Sequence, residues 1–138
     1  MQISSRFTIA VHTLVAIEYF RDDNKITSDF IAGSVQVNPV VIRRILSQLK
    51  KAGLVEIARG NGGTTLKLPA AQITLYDVYK AVECVENEKI FHFHENPNPQ
   101  CPVGSNIHRV LDGELDSAQA AFEENLKRTT IADLVNKI

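Results

Sequence analysis

Residues 37 to 68 read Val-Asn-Pro-Val-Val-Ile-Arg-Arg-Ile-Leu-Ser-Gln-Leu-Lys-Lys-Ala-Gly-Leu-Val-Glu-Ile-Ala-Arg-Gly-Asn-Gly-Gly-Thr-Thr-Leu-Lys-Leu, and this stretch decides the fold. Asn38 is a good N-cap, and Pro39 suits the first helical position, where its missing N–H costs nothing. Val41, Ile45, Leu46, Leu49 and Leu54 recur on one helical face, while Arg43, Arg44, Gln48 and Lys51 fall largely elsewhere. Gly53 stops the helix by taking the left-handed conformation. Two short strands follow, Leu54 to Arg59 and Thr64 to Leu68, joined by Gly60-Asn61-Gly62-Gly63, residues that tolerate positive φ. A basic helix running into a basic-stemmed hairpin is the layout of a winged helix. It predicts a helix for a DNA major groove and a hairpin tip near the minor groove.

Charge is distributed accordingly. The 138 residues carry a net charge of −1, which suggests nothing about partners. Residues 1–42 set Arg6, Arg21 and Lys25 against Glu18, Asp22, Asp23 and Asp29. Residues 43–68 set Arg43, Arg44, Lys50, Lys51, Arg59 and Lys67 against Glu56 alone, whereas residues 69–138 hold six basic and eleven acidic side chains. A polyanion is drawn to the middle and repelled by the tail, so the field orients the molecule as well as attracting it. A basic patch alone fits a solvated helix face equally well. The order of helix, glycine and hairpin separates the two readings.

The rest of the chain fills in around this unit. The length suits one compact domain with an appended element. No apolar run is long enough to span a bilayer and the N-terminus has no signal-peptide pattern, so a cytoplasmic protein with no membrane partner is expected. A first helix is expected from Ser5 to Tyr19 or Phe20, with Phe7, Ala10, Val11, Leu14 and Val15 inward. Thr27 caps a short helix over Ser28 to Ser34, which with the basic helix makes a helix-turn-helix. Thr74-Leu75-Tyr76-Asp77 has the form of a capping box and opens a helix with Leu75, Val78, Tyr79 and Val82 on one side. Asn96 to Pro102 holds three prolines and is read as loop. Beyond it, Ile107, Leu111, Leu115, Ala118, Phe122 and Leu126 form an apolar stripe on a long helix, and Thr130-x-x-Asp133 caps a last short one. The expected class is mainly α with a small β-hairpin. The domains are a winged helix-turn-helix over 1–83, an irregular loop and possible sensor region over 84–106, and a dimerisation helix with a short helix over 107–138. The stripe needs cover; a second copy of the chain supplies it on a two-fold operator, and folding back on its own domain is the alternative.

The Asn-Pro-Val-Val-Ile-Arg-Arg-Ile-Leu helix, the Leu-x-Lys-Ala-Gly-Leu-Val stop and the Arg-Gly-x-Gly-Gly wing resemble the Rrf2 (Rrf-two) family of bacterial transcriptional regulators. So do Ile73-Thr74-Leu75-x-Asp77-Val78-Tyr79 and Cys101-Pro102-Val103-Gly104. That family includes the iron–sulfur cluster regulator, the nitric-oxide-sensing repressor and the cysteine-metabolism repressor. The resemblance implies a homodimer in which the long helix crosses to the partner. It implies major-groove reading by Val40, Arg43 and Arg44, with Arg59 directed into a minor groove. Arginine pairs bidentately with guanine or favours a narrow, electronegative groove. Lys50, Lys51 and Lys67 suit phosphate. The candidate DNA-facing set is Pro39, Val40, Arg43, Arg44, Gln48, Lys51, Arg59, Gly60, Asn61, Gly62 and Gly63.

The chain departs from the family at its cysteines. Cluster-binding members carry three closely spaced cysteines before the long helix; here there are only Cys84 and Cys101. Three thiolates and a further ligand are normally needed, so no iron–sulfur cluster and no other cofactor is expected. Cys101, in the proline-rich loop, is a candidate redox-sensing thiol. Cys84, His92, His94, Glu95, Cys101 and His108 are the donors a metal site would draw on. Core packing for Cys84 and a half-exposed strand for Phe91 to His94 explain them without a metal, and no metal is expected. No catalytic residue is assigned: Gly60-Asn61-Gly62-Gly63 joins two strands and is not a phosphate loop, and neither a nucleophile elbow nor HExxH occurs. The function expected is that of a homodimeric, sequence-specific DNA-binding regulator, a repressor on a pseudo-palindromic operator. The alternative is a winged helix that binds protein.

Overall fold

Helix α1, Ser5–Phe20, is the element around which the others assemble. The computed structural model describes residues 3–22, 25–59, 63–83 and 89–138. The Ser4 hydroxyl accepts from the Arg6 N–H to start α1, and four further elements and strand β2 pack on it. Those elements are α2 (Ser28–Val35), α3 (Pro39–Lys51), α4 (Leu75–Val82) and α6 (Ile131–Val135). Because α1 is covered on several sides, its fully buried residues are Ala10, Thr13, Leu14, Ala16 and Ile17, a wider set than one stripe. Phe7, Val11 and Val15, expected inward, are partly buried against the same core. Thr13 is tolerated there because its hydroxyl donates to the Ile9 carbonyl at 2.8 Å.

Helices α2 and α3 begin where their caps predict. Thr27 caps α2, Asn38 caps α3 with Pro39 in its first turn, and Gly53 takes φ +80° after it. Strands β1 (Val55–Ile57) and β2 (Thr64–Leu66) pair antiparallel, Glu56 opposite Thr65. Bonds from Lys67 N–H to Leu54 and from Ala58 N–H to Gly63 extend the pairing at both ends, towards the longer strands expected. Thr64 N–H also donates to Ile26 at 2.7 Å, tying the hairpin base to the chain entering α2. Gly63, with φ +77°, passes so close to Lys25 and Ile26 that a Cβ would sit 3.0 Å from Lys25 Cγ. A short 3-10 turn, Ala70–Gln72, leads from the hairpin to α4 and had no clear signature in the sequence.

The long helix α5, Ile107–Lys127, leaves this body and returns to it. It packs along α4, where Phe122 meets Tyr79 edge-on with ring centroids 5.5 Å apart. Thr130 then pairs with Thr74 in an antiparallel bridge. Leu75 N–H donates to Thr129 and Ile131 N–H to Ile73. The starts of α4 and α6 therefore lie side by side, each closed by a Thr–Asp capping box. The Asp133 carboxyl is held below its ordinary value by the Thr130 N–H and then the Thr130 hydroxyl. That contribution is complete above the ordinary carboxylate range and disappears as pH falls through the lowered value.

Ile131, from the segment expected to serve dimerisation, is fully buried in the same core as Leu14, Ile45 and Ile73. Replacing it by alanine should cost about 2–5 kcal/mol of unfolding free energy, the usual range for a buried isoleucine. Urea unfolding measures it; a loss below about 1 kcal/mol would mean that α6 is a loose appendage.

Candidate nucleic-acid interface

The apolar side of α3 is sealed: Ile42, Ile45, Leu46 and Leu49 are all buried. With about 100° of rotation per residue, the opposite side carries Val40, Arg43, Arg44, Ser47 and Lys51. All five are exposed, Val40 to 45 %, unusual for a valine on a helix with this much core. Pro39 and Gln48 are half-exposed. Ser47 sits mid-face and was not singled out in the sequence, where a serine among apolar and basic residues carries no signal.

Two basic residues join this surface from the segment whose summed charge is negative. Arg6, from the first turn of α1, lines a groove of about 590 Å³ with Val41, Arg44, Ser47 and Gln48. Its Nε lies 3.4 Å from the Ser4 hydroxyl, and Ser4 in turn donates to the Glu83 carboxylate at 2.9 Å. Lys25 stands against Gly63 at the hairpin base. Neither was legible, because both enter through tertiary packing. Arg43 has a carboxylate neighbour, Asp29 of α2, at 3.7 Å between two well-exposed side chains. Such a pair is weak and readily exchanged for another anion. Arg59 is exposed at the end of the first strand, and Gly60, Asn61 and Gly62 lie outside the described residues.

Among the described residues, the donors considered for a metal do not converge. The His108 ring packs at a tilt against Phe93, with centroids 4.3 Å apart, and lies roughly parallel to the His94 ring at 6.3 Å. Cys84 lies outside the described residues, and among the described residues no three His, Cys, Asp or Glu side chains gather into a metal-holding group. Cys101 sits in a turn tightened by its N–H bond to Asn98 and by Ser105 N–H to its own carbonyl. Gly104 is required in that turn, since a Cβ would collide with the Asn98 carbonyl.

A basic helix presented beside a hairpin, on a helical body with a long C-terminal helix, defines a winged helix-turn-helix of the kind transcriptional regulators use. The comparisons make the assignment specific. Residues 3–137 match the family model Rrf2, described as iron-dependent transcriptional regulator. A Bacillus subtilis (strain 168) protein named as an HTH-type transcriptional regulator, YwnA, is 43 % identical over 99 % of this chain and 98 % of its own. A crystal structure described as that of a DNA-binding protein shares 38 % identity at a TM-score of 0.72, covering 94 % of this chain and 98 % of its own. CymR, the global cysteine regulator of B. subtilis, superposes at a TM-score of 0.76 over 100 % of this chain and 98 % of its own; at 20 % identity it speaks for the fold alone. The chain belongs to the Rrf2 family of transcriptional regulators. Its relatives are regulators and not enzymes.

The iron in the family's description finds a poor fit in this chain. Two cysteines in the full sequence cannot furnish three thiolates, and the described residues offer no convergent alternative. The Cys101 thiol has a different property. Backbone N–H groups of Gly104, then Val103, point at it and hold its pKa below the ordinary 9.0. A lowered pKa means more thiolate at neutral pH, so alkylation of Cys101 by iodoacetamide should reach half its maximal rate below that ordinary value. Stopped-time labelling with mass spectrometry across pH 6–10 measures it in the intact protein (roughly the range that brackets free thiols). A profile matching free cysteine would show that the turn does not stabilise the thiolate.

Proposed function

We propose that this regulator binds DNA sequence-specifically as a homodimer on a pseudo-palindromic operator, and that it acts in the cytoplasm as a repressor. The observation that carries the reading is the division of α3. One side is locked into the core, and the other offers Val40, Arg43, Arg44 and Ser47 to solvent. Val40 can meet a thymine methyl, and the two arginines and the serine can meet base edges. Arg6 lines the groove beside that face, Lys50 and Lys51 close α3, Lys25 stands at the hairpin base and Lys67 follows the second strand, all of them exposed cations suited to phosphate. Arg59, exposed beside the hairpin, is the residue we assign to the minor groove, and Gly60, Asn61, Gly62 and Gly63 complete the proposed DNA-facing set. A winged helix that binds only protein has no use for so many cations around one helix face.

The surface of α5 supports the two-fold reading. No residue of α5 is buried in the single chain, and Val110 is 55 % exposed. Leu115, Phe122 and Leu126 are half-buried in the single chain, leaving area for a partner to cover, while Ala118 and Ala121 are exposed. Ile107, Leu111, Leu115, Ala118, Phe122 and Leu126 remain the proposed interface, with Val110 and Ala121 extending it outward. Cys101, just before α5, is the proposed thiol through which an oxidant would change the helix's setting.

Selection of a binding site from random duplexes, followed by anisotropy titration, tests the function. Between about 50 and 200 mM salt, affinity should fall about 100-fold if four phosphates are contacted. Arg59→Ala should lose about 1–3 kcal/mol of operator affinity with the fold unchanged. Salt-independent binding, or no selected sequence, would favour the protein-binding alternative.

Assembly is tested separately. Ala118→Glu places a charge mid-helix on an exposed position and should convert a dimer to a monomer in sedimentation velocity, with helical circular dichroism retained. A dimer unaffected by this change would place the interface elsewhere.

A further inference from the structure

We propose that the cavity between residues 89–93 and the first half of α5 binds a small organic ammonium compound with a ring-sized apolar body. The cavity measures about 200 Å³ and has apolar walls from Phe91, Phe93 and Leu115. An apolar cavity of roughly 150 Å³ accommodates benzene, so there is room here for a ring and a short polar tail. The walls are held in place. The Phe93 ring packs on His108, and Ile90 N–H donates to the Gln119 amide oxygen at 3.1 Å, pinning the segment to α5.

Charge selects the ligand. Asp112 and Asp116 stand one turn apart on the cavity side of α5. Lys89 Nζ lies 3.2 Å from Asp116 and neutralises it. Asp112 is met by His108 Nδ1 at the longer distance of 3.6 Å, leaving the lining one negative charge in excess while histidine is neutral. An ammonium group placed at Asp112 gains a carboxylate with Phe91 and Phe93 in the same lining, the pairing of carboxylate and aromatic side chains by which proteins hold organic cations. A carboxylate ligand would meet Asp112 and Asp116 instead. Leu115 belongs both to the cavity wall and to the proposed dimer stripe, whereas His108, Asp112 and Asp116 lie beside that stripe on the side of α5 facing residues 89–93, so the charged rim of the cavity stands outside the stripe. None of these residues belongs to the α3 surface, and the inference does not rest on DNA binding.

The test uses the full chain and three isosteric probes: benzylammonium, benzyl alcohol and benzoate. Titrations followed by amide chemical shifts should show benzylammonium binding at least about tenfold more tightly than benzyl alcohol, with benzoate not saturating. Shifts should centre on residues 89–93 and 108–119. Asp112→Asn should reduce benzylammonium affinity about tenfold without changing the melting temperature, and Phe91→Ala at the rim should weaken both binding probes. Equal affinity for all three probes, shifts centred elsewhere, or an unchanged affinity in Asp112→Asn would overturn the proposal. So would no saturable binding of benzylammonium up to about 10 mM.

Discussion

The basic face of the winged helix depends on the burial of the other side of α3. Ile42, Ile45, Leu46 and Leu49 are at most 4 % exposed. Each such side chain is worth about 1.5–3 kcal/mol in removal from water. Rotating the helix by one residue would exchange that burial for the desolvation of an arginine, a penalty of several kcal/mol for an unpaired ion. The helix therefore has one orientation, and the direction of Val40, Arg43, Arg44 and Ser47 follows from it. Asn38, whose side chain accepts from the Val40 N–H at 2.9 Å, fixes where the helix begins. With start and rotation both set, the exposed face is a rigid platform and not a flexible basic arm.

The second constraint is the return of the chain after α5. Without it, a helix of 21 residues with no buried side chain would rest, among the described residues, on α4 and residues 89–93. The Thr74–Thr130 bridge and the burial of Ile131 anchor its C-terminal end to the body that carries α3. The Tyr79–Phe122 contact adds a point along its length. A change at the N-terminal half of α5, near Cys101 or the cavity beside Phe93, therefore acts on a helix fixed at its far end. In the dimer we propose, such a lever would alter the relation between the two copies while leaving each winged helix intact.

Much of this was legible in the chain because local chemistry and tertiary packing agree. Thr27, Asn38, Thr74 and Thr130 all cap the helices that follow them, and Gly53 follows α3 in the left-handed conformation. The stripe of α3 lacked Ile42, because an apolar run from Val40 to Ile42 has no internal periodicity to rank its members. The wider burial of α1 could not be read for a related reason. A helix packed on several sides loses the single stripe that sequence patterns detect. Arg6 and Lys25 were assigned to an acidic segment by summing charge along the chain, yet packing places them with Arg44 and at the hairpin base. Likewise, Phe91, His108 and Asp112 are separated by a proline-rich loop, and only the fold brings them around one cavity.

The most direct measurement of the central claim is a map of amide chemical-shift changes when the protein meets a short duplex at low salt. The α3 orientation predicts that the largest changes fall on residues 39–48 and on the hairpin from 57 to 65, with Arg6 and Lys25 following. Changes centred on α4 or α5, with α3 silent, would contradict it.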